Sequence, residues 1–130
     1  YESVRSLIER YPGAPVLMHP ECTPELLKLA TFAGSTKEII EQAAASDAED
    51  IIVVTVVGVR GELERRCAGQ GKHFHFPAPE PRCPGMDLVT VDNVLACLAD
   101  ETDGHTITLD GAVADAAREA LERMLEYGAR

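Results

Sequence analysis

Four consecutive β-branched residues, Ile51-Ile52-Val53-Val54, constrain this chain more than any other feature. A strand with one face in water alternates apolar and polar residues. This run does not, so it reads as a strand covered on both faces in a parallel sheet. Such a strand is central and needs helices above and below it, which the rest of the chain must supply.

The flanking segments do so. Val4, Leu7 and Ile8 recur at helical spacing until Pro12-Gly13, and Val16-Leu17-Met18 follows as the first strand. Thr23-Pro24 sets an N-cap with proline at the first helical position. It predicts a helix closed by Gly34, with Leu26, Leu27, Ala30 and Phe32 on its covered side. Ser35 and Glu38 form a capping-box pattern for a helix through about Ala45. Further along, the pattern predicts a helix over 58–66, a short strand at His73-Phe74-His75-Phe76, and a proline-stiffened loop around Cys83.

Thr90 is the expected cap of a short helix that turns Val91, Val94, Leu95 and Leu98 inward, followed by a glycine-containing turn. Asp110 is the expected cap of a last helix, which gathers Val113, Ala117, Ala120, Leu121, Met124 and Leu125 on one docking face. Strands alternating with helices imply an α/β fold, a three-layer α/β/α sandwich around a small parallel sheet with right-handed crossovers. The expectation is a single domain over 1–130 without internal repeats.

Hydrophobic residues make up 45% of the chain but aromatics only 5%, so the core must be built from Val, Leu, Ile and Ala. With 22 acidic against 12 basic residues the net charge is −10, and no basic patch reverses it. Nucleic acid and anionic membrane are therefore not expected partners. The apolar run Ile51 to Val59 is broken by Thr55 and Gly58 and is too short to cross a bilayer. No signal-peptide pattern opens the chain, so a cytoplasmic setting is expected. The start at Tyr1 rather than Met suggests a trimmed chain or a piece of a longer protein.

Ligands of open parallel sheets collect beyond the carboxyl ends of the strands, here the loops after Met18, Val54 and Phe76. His19-Pro20-Glu21-Cys22 offers a base, an acid and a thiol just before a helix N-terminus. On spacing alone, His19 and Glu21 serve equally well for solvation or capping in a surface loop. Gly34-Ser35-Thr36 places hydroxyls and unpaired backbone N–H groups at a helix start. That arrangement receives a carboxylate or phosphate, or is a cap and nothing more.

Cys22, Cys67, Cys83 and Cys97 contain no C-x-x-C pair, which excludes zinc-ribbon and thioredoxin-type motifs. The ordinary role of such cysteines is as small buried hydrophobes. Cys83, between Arg82 and Pro84, better suits an accessible thiolate held for a metal. One cysteine cannot hold an iron–sulfur cluster alone, so that role requires two or three ligands from elsewhere. His73 and His75 share one face of their strand, where satisfied or exposed histidines are commoner than metal ligands.

Four features in order, His19-Pro20-Glu21-Cys22, Gly34-Ser35-Thr36, Cys83-Pro84-Gly85-Met86 and a terminal stretch with Ala117 and Arg123-Met124-Leu125, resemble the quinolinate synthase family. The match runs from about Tyr11 to the C-terminus. The resemblance implies three similar α/β domains around a pseudo-threefold axis, each giving one cysteine to a central [4Fe-4S] cluster with an open fourth iron. This chain would be the third domain, and the other two its partners. Only Cys83 matches the cluster ligand, whereas Cys22 matches a residue that is not one.

Enzymes of that family condense iminoaspartate with dihydroxyacetone phosphate to form quinolinate, an NAD precursor, with the open iron as Lewis acid. Carried over by position, Glu21 is implied as the acid/base of dehydration, His19 as a substrate contact near the cluster, and Ser35 and Thr36 as holders of a substrate carboxylate. Two positions depart from the family's pattern. Thr55-Val56-Val57-Gly58 stands where Thr-Glu commonly precedes a glycine, and Asp87 where a lysine is usual. The chain alone is expected to be inactive. Two other readings stay open: a non-catalytic module presenting a helix N-terminus to a small acidic metabolite, and a thiol redox sensor built on Cys22.

Overall fold

The β-branched run forms strand β3, Asp50–Val54, and Ile51, Ile52, Val53 and Val54 are all buried. The computed structural model describes residues 1–99 and 107–129. The glycine-containing turn expected between the last two helices lies outside them. The chain divides into two compact units, Tyr1–Leu88 and Val89–Arg130.

In the first unit, β3 pairs in parallel with β1 (Val16–Met18) on one side and β4 (His73–His75) on the other. A fourth strand, β2 (Phe32–Ala33), pairs in parallel with β1, giving the order β2-β1-β3-β4. Helices α1 (Glu2–Arg10) and α2 (Pro24–Leu27) supply apolar side chains to one face, where Val4, Val16, Met18, Ile52 and Val54 form the core. Helices α3 (Thr36–Ala45) and α4 (Arg60–Arg66) cover the other, around Leu17, Ile39, Ala43, Ile51, Val53 and Leu63. Residues adjacent along β3 thus serve opposite cores, which makes the three layers of the expected sandwich.

Local signals set the element ends. After α1, Gly13 turns the chain at φ +88°, a left-handed conformation that costs glycine little. The C-terminus of α3 is closed from a distance: Lys72 Nζ donates to the carbonyls of Ala43 and Ala44 at 2.7 and 2.9 Å, a cation on the negative end of the helix dipole. A 3₁₀ turn, Val57–Val59, leads into α4.

One helix is shorter than its sequence pattern. The segment after Thr23-Pro24 is helical only to Leu27, and Phe32, expected on its covered side, lies instead in β2. Thr31 is the cause. Its hydroxyl accepts from Val16 N at 2.8 Å and donates to Val16 O at 3.1 Å, and its own N–H donates to that carbonyl at 2.9 Å. These bonds fix the backbone alongside β1 and end the helix.

The second unit holds α5 (Val91–Ala99) and α6 (Gly111–Gly128). Thr90 Oγ1 accepts from Asn93 N, and Asp110 accepts from Ala112 N and Val113 N, so both expected caps are present. The inward turn of the apolar faces is not. Val91, Val94, Leu95 and Leu98 of α5 are 47–75% exposed, and Val113, Leu121, Met124 and Leu125 of α6 are 54–70% exposed. Amphipathic spacing encodes a face to be covered, not the presence of its cover in the same unit. Among the described residues no helix is long and apolar enough to cross a membrane.

Candidate functional site

Because the sheet is wholly parallel, all four strands deliver their following loops to one edge, and there a cleft of about 290 Å³ opens within the first unit. His19, Glu21 and Cys22 enter it after β1, Thr36 after β2, Thr55 and Val56 after β3, and the segment from Pro81 to Met86, including Cys83, after β4. The strand order reverses direction between β1 and β3, the switch point at which open α/β sheets bind ligands. His19 N bridges that point, donating to Val54 O at 3.1 Å.

His19 and Glu21 form a local pair. His19 Nδ1 accepts from Glu21 N at 3.3 Å and lies 3.7 Å from Glu21 Oε2. The imidazole is 27% exposed and the carboxylate 87%, so the ring is held at the cleft wall while the acid projects into solvent. Cys22 turns inward, its thiol directed at Val54 O at 3.8 Å. Burial raises the Cys22 thiol above its usual range, opposed by a backbone hydrogen bond from the His19 turn and reinforced by the nearby Glu21 charge. A redox sensor needs a lowered thiol, so the environment of Cys22 works against that reading.

The Gly34-Ser35-Thr36 motif divides between two tasks. Ser35 completes a capping box with Glu38, and its hydroxyl is spent on that carboxylate at 2.7 Å. Thr36 lines the cleft, whereas Ser35 does not. At the start of α3 it is therefore Thr36, not Ser35, that borders the cleft.

Cys83 is partly exposed and borders the same cleft, while Cys67 is buried at the C-cap of α4 and Cys97 is exposed on α5. Asp87 N donates to Cys83 O at 2.9 Å, and Arg82 Nε donates to Asp87 Oδ2 at 2.9 Å, closing the turn around the cysteine. Among the described residues no three or more His, Cys, Asp or Glu side chains gather to hold a metal ion. One partly exposed thiol would fit an iron–sulfur cluster as a single corner only, and the remaining donors would have to come from outside the chain. His73 and His75 make no such centre. His75 stacks on Tyr11 at 3.6 Å and meets Asp50 Oδ1 at 2.7 Å, a structural role at the opposite end of the sheet.

The loop after Val54 was expected at the site, and its Thr55 and Val56 line the cleft; Arg82, noted in the sequence only as a neighbour of Cys83, lines it as well.

A family model described as quinolinate synthetase A protein matches residues 1–126. Among curated relatives, the quinolinate synthase of Caldicellulosiruptor saccharolyticus is 38% identical over 125 residues, covering 96% of this chain and 40% of the relative. That of Chloroherpeton thalassium is 39% identical over 124 residues, covering 90% and 37%, and that of Aquifex aeolicus 37% over 131 residues, covering 97% and 39%. The chain spans about two fifths of the length of the curated relatives it matches.

Proposed function

The chain belongs to the quinolinate synthase family, and we propose that its cleft is one part of a site that condenses iminoaspartate with dihydroxyacetone phosphate to quinolinate, for NAD biosynthesis. The observation that carries this reading is convergence: loops from three strands bring His19, Glu21, Thr36 and Cys83 onto one cleft. The relatives are more than twice as long, so the other cluster cysteines and most substrate contacts would come from the remaining domains. The apolar faces of α5 and α6 suit cover by that remainder. The isolated chain would be inactive, and a reducing cytoplasm would suit its free thiols.

Cys83 would hold one iron of a [4Fe-4S] cluster. When bound, that cluster supplies an open iron that polarises a hydroxyl or carbonyl oxygen of the substrate. The chain's own residues would do the rest. Glu21, projecting from the wall, would take and return the protons that ring formation and loss of water displace. His19, fixed by the Glu21 amide, would orient the substrate beside it. Thr36 Oγ1, at the positive end of α3, would receive a substrate carboxylate.

The test is anaerobic reconstitution of the full-length protein carrying this segment. Cys83→Ser should lose [4Fe-4S] absorption and activity together, while Glu21→Gln should keep the absorption and lower turnover by roughly 100-fold or more. An intact, active cluster in Cys83→Ser would remove the proposal.

A further inference from the structure

Residues 77–85 contain no helix or strand, and Pro77, Pro79, Pro81 and Pro84 lack the N–H groups by which a loop is ordinarily tied down. The segment that carries Cys83 is therefore held by other groups, and they converge on the start of α4. Pro81 O accepts from Val57 N at 2.8 Å. One residue earlier, Glu80 forms an ion pair with the guanidinium of Arg60, the first residue of α4. The same guanidinium lies 4.6 Å from the centroid of the Phe76 ring, where the chain leaves β4. Arg60 thus grips the loop at its root and again three residues before Cys83.

We propose that Arg60 is a positioning residue for Cys83: by stacking on Phe76 while pairing with Glu80, it holds the proline loop on α4 so that the thiol faces the cleft. Arg60 does not line the cleft and touches no reacting group. A planar guanidinium can make both contacts at once, since it offers a face to a ring and an edge to a carboxylate. An ammonium makes the pair and only part of the stack. The inference rests, for its purpose, on Cys83 being a cluster donor, but its geometry does not.

The experiment is peptide-resolved alkylation of the full-length protein in its iron-free form, which reads thiol exposure without reference to the cluster. Arg60→Ala should speed labelling of Cys83 by roughly three- to ten-fold, from the combined loss of an exposed ion pair and a cation–π contact. Arg60→Lys should fall between that variant and wild type. Labelling of Cys67, buried at the end of the same helix, should not change. In the cluster-loaded protein, Arg60→Ala should shorten the lifetime of the [4Fe-4S] absorption under a chelator.

Equal Cys83 labelling in Arg60→Ala and wild type would overturn the inference. So would a parallel rise at Cys67, which would mean that α4 loosens as a whole. If Cys83→Ser keeps its cluster, the donor assignment falls while the alkylation result still decides the role of Arg60.

Discussion

Ser35 and Glu38 hold each other closed: the Glu38 carboxylate accepts from Ser35 N at 2.8 Å and from Ser35 Oγ at 2.7 Å, while Ser35 Oγ accepts from Glu38 N at 3.3 Å. Of the two hydroxyls, Ser35 and Thr36, that sequence offers to a substrate, that of Ser35 is thereby committed to the cap. Ser35→Ala is expected to cost about 1 kcal/mol of stability, the usual loss for an N-cap. Thr36→Val should leave stability nearly unchanged and weaken substrate binding. Thermal unfolding and the Michaelis constant, measured on both variants, separate the two roles, and identical profiles would contradict the division.

The same pair sets a pH dependence. Hydrogen bonds from the Ser35 hydroxyl and amide hold the Glu38 carboxyl below its ordinary value of 4.5. Its contribution to stability is therefore full above that value and is lost as pH falls through the depressed one. Amide exchange at Glu38 and Ile39 should show the start of α3 loosening in acid. Glu38→Gln, which cannot titrate, should flatten that dependence.

Gly34 precedes the box for a steric reason. A Cβ there would lie 2.7 and 2.8 Å from two atoms of the Phe32 ring and 3.0 Å from Glu38 Oε2. Phe32 is partly buried and packed against the core, so its ring would have to shift to make room. Gly34→Ala is expected to destabilise by about 1–3 kcal/mol, the range of an overpacked site. Gly58, whose added Cβ would meet nothing within 4 Å, is the control, and Gly58→Ala should be neutral or slightly stabilising.

Ile51 and Ile52 test the layered architecture directly. They are adjacent, both fully buried, and belong to cores on opposite faces of the sheet. Ile51→Ala and Ile52→Ala should each cost about 2–5 kcal/mol, as deletions in covered cores do. In a sheet open on one side, one of the two would be tolerated. Denaturant midpoints that differ widely between the variants would contradict the three-layer arrangement.

How far these features were legible beforehand depends on whether their cause was local. The β3 run, the Thr23 and Ser35 caps and the proline loop announce themselves because each signal lies within a few residues of its effect. Strand β2 does not. Phe32 and Ala33 sit within helical spacing, and only the bonds of Thr31 to Val16, fifteen residues away, turn them into a strand. The site divided in the same way. Residues at strand ends were visible, whereas the commitment of Ser35 to Glu38 and the grip of Arg60 on Glu80 depend on side-chain geometry that spacing leaves open. The exposed faces of α5 and α6 show the remaining limit, since periodicity names a surface without naming its cover.

Cys22 and Cys83 border one cleft but should behave differently toward both iron and alkylating agents. Burial raises the Cys22 thiol, so a smaller fraction is thiolate at any given pH than in a free cysteine, and its alkylation should be slow and reach its plateau at higher pH. Its sulfur is also directed at Val54 O, away from a donor's task. Cys22→Ser should therefore retain the [4Fe-4S] absorption that Cys83→Ser loses. The check is anaerobic reconstitution of both variants beside wild type, with peptide-resolved alkylation across a pH series. Loss of the cluster in Cys22→Ser, or labelling of Cys22 faster than that of a free cysteine, would reverse the assignment of the two thiols.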